Sequence, residues 1–183
     1  MATIHFDMAD GDANLLESHP SAPFDFVYSS HCLEHMHDPL TTARRWCRLL
    51  RPGGHLVVIV PDEDLYEQGI WPSIHNSDHK HTFTISKASS WSPMSINILD
   101  LARALPDMEL IDVRLQDHGY DRRLLSFGRG RASLPVRAIG KLAQHGLFPR
   151  RIAGWLHRRS RGVIDQTLMQ GRLAQIQLTM MRR

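Results

Sequence analysis

Residues 24–61 read FDFVYSSHCLEHMHDPLTTARRWCRLLRPGGHLVVIVP, and the order of residue types in this stretch decides the fold. Phe24, Phe26, Val27 and Tyr28 form a short aromatic and β-branched run that suits a buried strand. Asp38 followed by Pro39 predicts a helix start. The carboxylate caps free N–H groups, and proline has no N–H to leave unbonded at the first helical position. Leu40, Ala43, Trp46, Cys47 and Leu50 follow at helical spacing, with Thr41, Arg44, Arg45 and Arg48 mostly on the other side. The late arginines complement the negative helix end. Pro52, Gly53 and Gly54 are expected to stop the helix and turn the chain. Residues 55–60 are then nearly all apolar, as in a parallel strand covered on both faces. Strand, helix and strand in this order make half of a doubly wound α/β sheet.

The same residues carry a pattern, FDxVxSxxxLEHxxDP…RxLxPGGxLxxxxP. In this it resembles the second half of the class I S-adenosylmethionine (SAM) dependent methyltransferases, from about residue 7 to about residue 118 and again over the last ten residues. The resemblance implies a strand order 3-2-1-4-5-7-6 and SAM as cofactor, and says little about the acceptor. Family members begin with a strand, a GxGxG loop, a helix and a second strand ending in an acid. That loop receives the methionine part of the cofactor and the acid takes the ribose hydroxyls. Here residues 3–8 are expected to be the third strand, which places the start of the chain just before it. The GxG at 128–130 lies among arginines with no strand before it and is discounted. The expectation is therefore an N-terminally truncated core. The missing contacts, each worth about 1.5–3 kcal/mol, are comparable in sum to a micromolar site at about 8 kcal/mol. The chain alone should bind SAM weakly unless a partner or an upstream segment completes it.

Composition sets the remaining bounds. With 183 residues, 42% hydrophobic and 22% charged, the chain suits one ordinary globular domain. Cys32 and Cys47 have neither zinc-like nor redox spacing and read as reduced thiols. Neither a signal peptide nor a membrane-spanning run is read, so a cytoplasmic location is expected. The net charge of +3 conceals an asymmetry: residues 122–161 hold eleven of the 22 Lys and Arg residues and no acid. Residues 134–161 suit basic amphipathic helices. These are read as a solvated insertion that could touch an anionic membrane surface, making the protein peripheral there; the nucleic-acid signal is not firm. The expected division is a partial methyltransferase core at 1–121, a basic helical insertion at 122–165 and the final strand of the core at 166–183. The oligomeric state is not legible.

The resemblance assigns the candidate site. Asp12 and Ala13 would hold the adenine ring, the carboxylate accepting from its amino group; the alternative is a solvated turn at 10–12. Ser29, Ser30 and His31 would line the methyl-donor end, with His35 nearby. His31-Cys32-Leu33-Glu34-His35 also fits H-x-x-E-H, the inverted zinc-peptidase pattern. That chemistry needs a long helix, and Asp38-Pro39 starts a new one three residues later, so no metal is expected. After residue 61 the chain is polar, aromatic and histidine-rich. Asp62, Glu63, Tyr66, His75, Asp78, His79 and His81 fall where an open α/β sheet places its site. His31, His35 and His79 are the candidate catalytic groups, since imidazole can take a proton near neutral pH as an acceptor atom attacks a methyl group. A bland reading of 75–81 is a hydrogen-bonded loop packed under the next helix.

Ser92-Pro93 predicts a further helix start, with Ile98, Leu101, Ala102 and Leu105 on its apolar face, and residues 108–117 alternate as a strand with one wet face. In the last ten residues Ile176, Leu178 and Met180 alternate with Gln175, Gln177 and Thr179, the signature of an antiparallel final strand. The function expected is methyl transfer from SAM to a small-molecule or saccharide-like acceptor, impaired in this chain; the alternative is a non-catalytic methyltransferase-like remnant or partner subunit.

Overall fold

The apolar run at residues 55–60 becomes the inner part of a sheet. A computed structural model describes residues 3–125 and 163–183, with positions 127, 139, 142, 147, 149 and 152 between them. The opening stretch forms β1 (Phe24–Ser30), α1 (Pro39–Arg48) and β2 (Leu50–Pro61); then come β3 (Thr82–Thr84), β4 (Ser95–Asn97), α2 (Ile98–Arg103), β5 (Met108–Gln116) and β6 (Gln175–Arg182). β1 and β2 lie side by side and parallel, Val27 opposite Leu56 and Ser30 opposite Ile59. β6 runs antiparallel between β2 and β5. The order β1-β2-β6-β5 is the 4-5-7-6 side of the sheet that the resemblance implies.

Alternation along these strands builds the core. Leu56, Val58 and Val60 of β2 stand opposite Met180, Leu178 and Ile176 of β6, and all six are fully buried. Ala43, Trp46 and Cys47 of α1, Ile98, Leu101 and Ala102 of α2, and Phe83 of β3 complete one hydrophobic cluster with them. Full burial of such a side chain contributes about 1.5–3 kcal/mol, so register at β2–β6 is strongly fixed: a one-residue slip of β6 would turn its three apolar groups outward. α1 begins as expected. Asp38 caps it, accepting from the Thr41 N–H at 3.0 Å and the Thr41 hydroxyl at 2.7 Å, and these bonds hold its carboxyl below the usual range.

The structure corrects three local expectations. Residues 3–8 form no strand; the chain there is irregular and turns at 8–10. A lone extended segment leaves its N–H and C=O groups unpaired, and β1 is the outermost strand of this sheet, with no described segment on its free edge. Pro52-Gly53-Gly54 does not end the helix either. α1 stops at Arg48, and the prolyl-glycyl-glycyl segment is a bulge inside β2, where the register jumps from Phe24–Leu50 to Phe26–His55. Glycine is required there: Gly53 has φ +77°, and a Cβ on Gly54 would lie 2.9 Å from the carbonyl oxygens of Arg51 and Phe24. Lastly, α2 starts at Ile98, not at Ser92-Pro93. Asn97 caps it through bonds from the N–H groups of Leu99 and Asp100, because residues 95–97 pair with β3 as β4.

The basic helices expected within 134–161, and the GxG at 128–130, lie outside the described residues apart from isolated positions. Among the described residues no helix is long and apolar enough to cross a membrane.

Candidate active site

Because β1 and β2 are parallel, their carboxyl ends share one rim of the sheet, and β6 starts there. His31 follows β1 directly. Its N–H donates to the Ile59 carbonyl at 2.9 Å, which extends the pairing one residue while the backbone turns to φ +51°. That left-handed turn, uncommon outside glycine, carries the imidazole over the rim. Ser29 is buried and Ser30 exposed. The adjacent Cys32 thiol is pushed up by burial and by the Glu34 charge.

Residues 33–35 make a single tight turn, Leu33–His35, that buries Leu33 and Glu34. The Glu34 carbonyl accepts from the N–H groups of Lys80 and His81, at 2.9 and 3.2 Å. This clamp draws the histidine-rich loop onto the turn after β1. The loop leaves β2 at Asp62, whose side chain caps a wide turn, Glu63–Glu67, by accepting from the N–H groups of Asp64 and Leu65. Burial pushes the Asp62 carboxyl up to about 6. Glu63, fully buried, accepts from Lys87 Nζ at 2.8 Å, Ser90 Oγ at 2.8 Å, Thr82 Oγ1 at 3.1 Å and Ser95 Oγ at 2.6 Å.

The three candidate imidazoles meet around Glu34. Its Oε1 lies 3.5 Å from His31 Nδ1, 3.8 Å from His35 Nε2 and 3.9 Å from His79 Nε2. His79 is held from behind by Glu67 Oε1 at 2.8 Å, and His35 by the Asp78 carboxylate at 3.0 Å and its carbonyl at 3.2 Å. His31 Nε2 bonds Gln175 Oε1 at 3.0 Å, and the Gln175 amide donates in turn to Gln116. The Glu34 carboxylate beside His31 raises its pKa, outweighing the burial that lowers it. A cavity of about 420 Å³ opens on this group; His31, Glu34, His35, Tyr66, His79 and Gln175 are in its wall. Burial and the acids around Tyr66 push its hydroxyl pKa upward, so it is a neutral phenol.

Of the other loop candidates, His81 Nε2 reaches only the His37 carbonyl at 3.4 Å, and His75 stacks edge-on against Tyr66. Residues 75–81 thus form a hydrogen-bonded loop docked on the turn after β1. Asp12 and Ala13 dock next to that turn. Asp12 Oδ1 accepts from the Asn14 N–H and side-chain amide, which lowers its pKa. The Ala13 carbonyl accepts from Trp46 Nε1 at 3.0 Å, and Asn14 Oδ1 accepts from the His37 N–H at 2.9 Å.

Sequence reading passed over Glu34 as a shared partner, Glu67 as the support of His79, and Gln175 as the support of His31. No spacing rule announces them, since the contacts join three separate loops. The one available signal was an acid between two histidines at 31–35 followed by a second histidine-rich segment.

A methyltransferase-domain family model matches residues 2–120. The chain belongs to that family. No curated protein matches it. Among solved structures it is similar to the [4+2]-cyclase SpnF, at 19% identity over 93% of this chain and 54% of that one, TM-score 0.44. It is also similar to phosphoethanolamine N-methyltransferase 2 of Haemonchus contortus in complex with SAM, at 14% identity over 94% of this chain and 36% of that one, TM-score 0.47. A third is coclaurine N-methyltransferase bound to N-methylheliamine and S-adenosylhomocysteine, at 9% identity, 94% and 50% coverage, TM-score 0.47. The chain thus spans about half the length, or less, of these structures.

Proposed function

We propose that the chain carries the acceptor side of a SAM-dependent methyl-transfer site. One observation carries this reading: the polar cavity at the shared carboxyl ends of β1 and β2, where an open α/β sheet holds its ligands. SAM supplies an electrophilic methyl group when bound. The residues fit its adenine and methyl ends. Asp12 keeps Oδ2 to accept from the adenine amino group, since both of its bonds to Asn14 end on Oδ1. Ala13 would offer its backbone beside it, and Ser29, Ser30 and His31 would hold the methyl-donor end, of which His31 lines the cavity. A cavity of about 420 Å³ is the size of small-molecule sites, and its imidazole, carboxylate and amide lining suits a polar, small-molecule or saccharide-like acceptor. His31 is the best placed of the three histidines to take the acceptor's proton. Its side chain is 48% exposed, while Glu34 lies on its Nδ1 side to stabilise the imidazolium. His35 and His79 line the deeper wall.

The second reading is a non-catalytic partner subunit. What favours it is the outer face of β1, where Phe26 and Tyr28 stack on each other yet are 52% and 56% exposed. Calorimetric titration with SAM separates the two. Binding near micromolar, with His31→Ala reducing methyl transfer by far more than it weakens SAM binding, supports the enzyme. No binding at millimolar SAM overturns it in favour of the subunit.

A further inference from the structure

The group around Glu34 is short of hydrogen atoms. His79 Nδ1 faces Glu67 Oε1 at 2.8 Å, and His35 Nδ1 faces the Asp78 carboxylate and carbonyl. Those oxygens only accept, so in the neutral rings each Nδ1 carries the hydrogen and each Nε2 presents a lone pair. Both Nε2 atoms then look toward Glu34 Oε1, at 3.8 and 3.9 Å. Glu34 is fully buried, and neither of its oxygens has a hydrogen-bond partner among the described residues. With these rings neutral, two lone pairs and one carboxylate oxygen converge with His31 Nδ1, at 3.5 Å, as the only other nitrogen facing Glu34 Oε1 among the described residues, and a buried carboxylate so thinly partnered is costly. A cation among them removes that penalty.

We propose that Glu34, His35 and His79 bind one divalent first-row transition ion, with zinc as the test case. Their ligand atoms lie within 4.8 Å of one another. Bonds of about 2.0–2.2 Å in a tetrahedral site put ligand atoms about 3.3–3.6 Å apart, so each Glu34–His pair contracts by only a few tenths of an ångström, with the two imidazoles drawn together from within 4.8 Å. Two imidazoles and one carboxylate select zinc, iron or cobalt over magnesium or calcium. Glu67 and Asp78 supply the outer carboxylates that fix ligand rings in metal sites. The ligand set is not the inverted peptidase pattern: it takes Glu34 and His35 from H-x-x-E-H but replaces His31 with His79 from the clamped loop. The remaining positions on the ion face the cavity that all three residues line. This inference does not depend on methyl transfer, because metal binding is read without SAM or acceptor.

The test is titration of the untagged, chelator-stripped full chain with Zn²⁺ by calorimetry and with Co²⁺ by visible absorption. The expected result is one ion per chain, a Co²⁺ spectrum of four-coordinate intensity, and no binding of Mg²⁺ at the same concentrations. Glu67→Gln should weaken Zn²⁺ by about 10–100-fold, and Glu34→Gln or His79→Gln by more. If a buried substitution prevents folding, His35→Gln, at a ring that is 22% exposed, gives the same reading. Failure of the folded wild type to bind Zn²⁺ overturns the proposal. So does binding whose affinity survives His35→Gln and Glu67→Gln, as scattered surface histidines would give.

Discussion

Glu34 and Glu63 are both fully buried, and both lie just beyond the end of a parallel strand, yet their surroundings treat them in opposite ways. Glu63 receives four donors, two on each oxygen, from Lys87, Ser90, Thr82 and Ser95. Glu34 receives none and faces three imidazoles at 3.5–3.9 Å. A saturated carboxylate is a fastener: Glu63 ties the turn after β2 to β3, β4 and the loop between them. An unsaturated one at a cavity wall is held ready for something that arrives. Position in the fold is nearly the same, so the difference lies in the donors that the neighbouring loops supply.

The largest expected effect is at the fastener. Glu63→Ala leaves Lys87 and three hydroxyls without their acceptor and should cost about 3–5 kcal/mol, read as a lowered urea midpoint. A loss under about 1 kcal/mol would mean that the four donors find water or one another, and the comparison would collapse. Next is Asp62, one residue before it. Burial lifts its carboxyl from near 3.8 to about 6, so between those values the folded protein keeps a proton that the unfolded chain has released. Stability from this group therefore falls as pH rises through that window, by at most about 3 kcal/mol at 1.36 per pH unit. Asp62→Asn keeps the capping acceptor and removes the slope. Its stability relative to wild type should improve from pH 4 to about pH 6 and then level off in denaturant titrations; parallel curves would show that Asp62 ionises freely. Smaller again is Lys87→Met, which takes one charged donor from Glu63 and from Asp64. The ammonium is about one-third exposed, so a loss near 1.5 kcal/mol is expected, at the low end for bonds to charged groups.

How much of this was readable beforehand follows the range of the interactions. α1 and the paired β1 and β2 rest on local signals, an Asp-Pro cap and apolar runs, and they form in the order expected. β1, however, is an edge strand that leaves Phe26 and Tyr28 exposed rather than buried, and β2 begins at Leu50, before the bulge. β6 was legible because Ile176, Leu178 and Met180 alternate strictly against polar neighbours. β5 was less so: both Leu110 and Ile111 are exposed, because a bulge between Leu110 and Asp112 breaks the alternation. Residues 3–8 have strand-like composition but pair with no strand among the described residues, and pairing is not written in composition. Ser92-Pro93 looked like a helix start until residues 95–97 found β3. At the site, His31, His35 and His79 were singled out separately. What brings them together is the clamp from the Glu34 carbonyl to Lys80 and His81, a backbone contact between distant loops that no window on the sequence contains. The same distance hid Glu67 and Gln175.

The smallest effect has the opposite sign and tests the comparison most sharply. Replacing a saturated buried carboxylate by its amide should destabilise, since an NH₂ group then meets donors. At Glu34 the reverse holds. Glu34→Gln removes a buried anion that lacks donors, and the amide can give a hydrogen to the lone pair of His35 or His79. In buffer containing a chelator the variant should therefore be more stable than wild type by about 1 kcal/mol, the usual worth of a net hydrogen bond, seen as a rise in Tm. Adding Zn²⁺ should turn the order round, because only the wild-type carboxylate completes the ligand set and ligand binding stabilises the folded state by mass action. A variant less stable than wild type in chelator would mean that Glu34 is satisfied after all, by protonated imidazoles, and is a fastener of the same kind as Glu63. The sign of one thermal shift, measured with and without zinc, thus decides whether the two glutamates differ in kind or only in the identity of their donors.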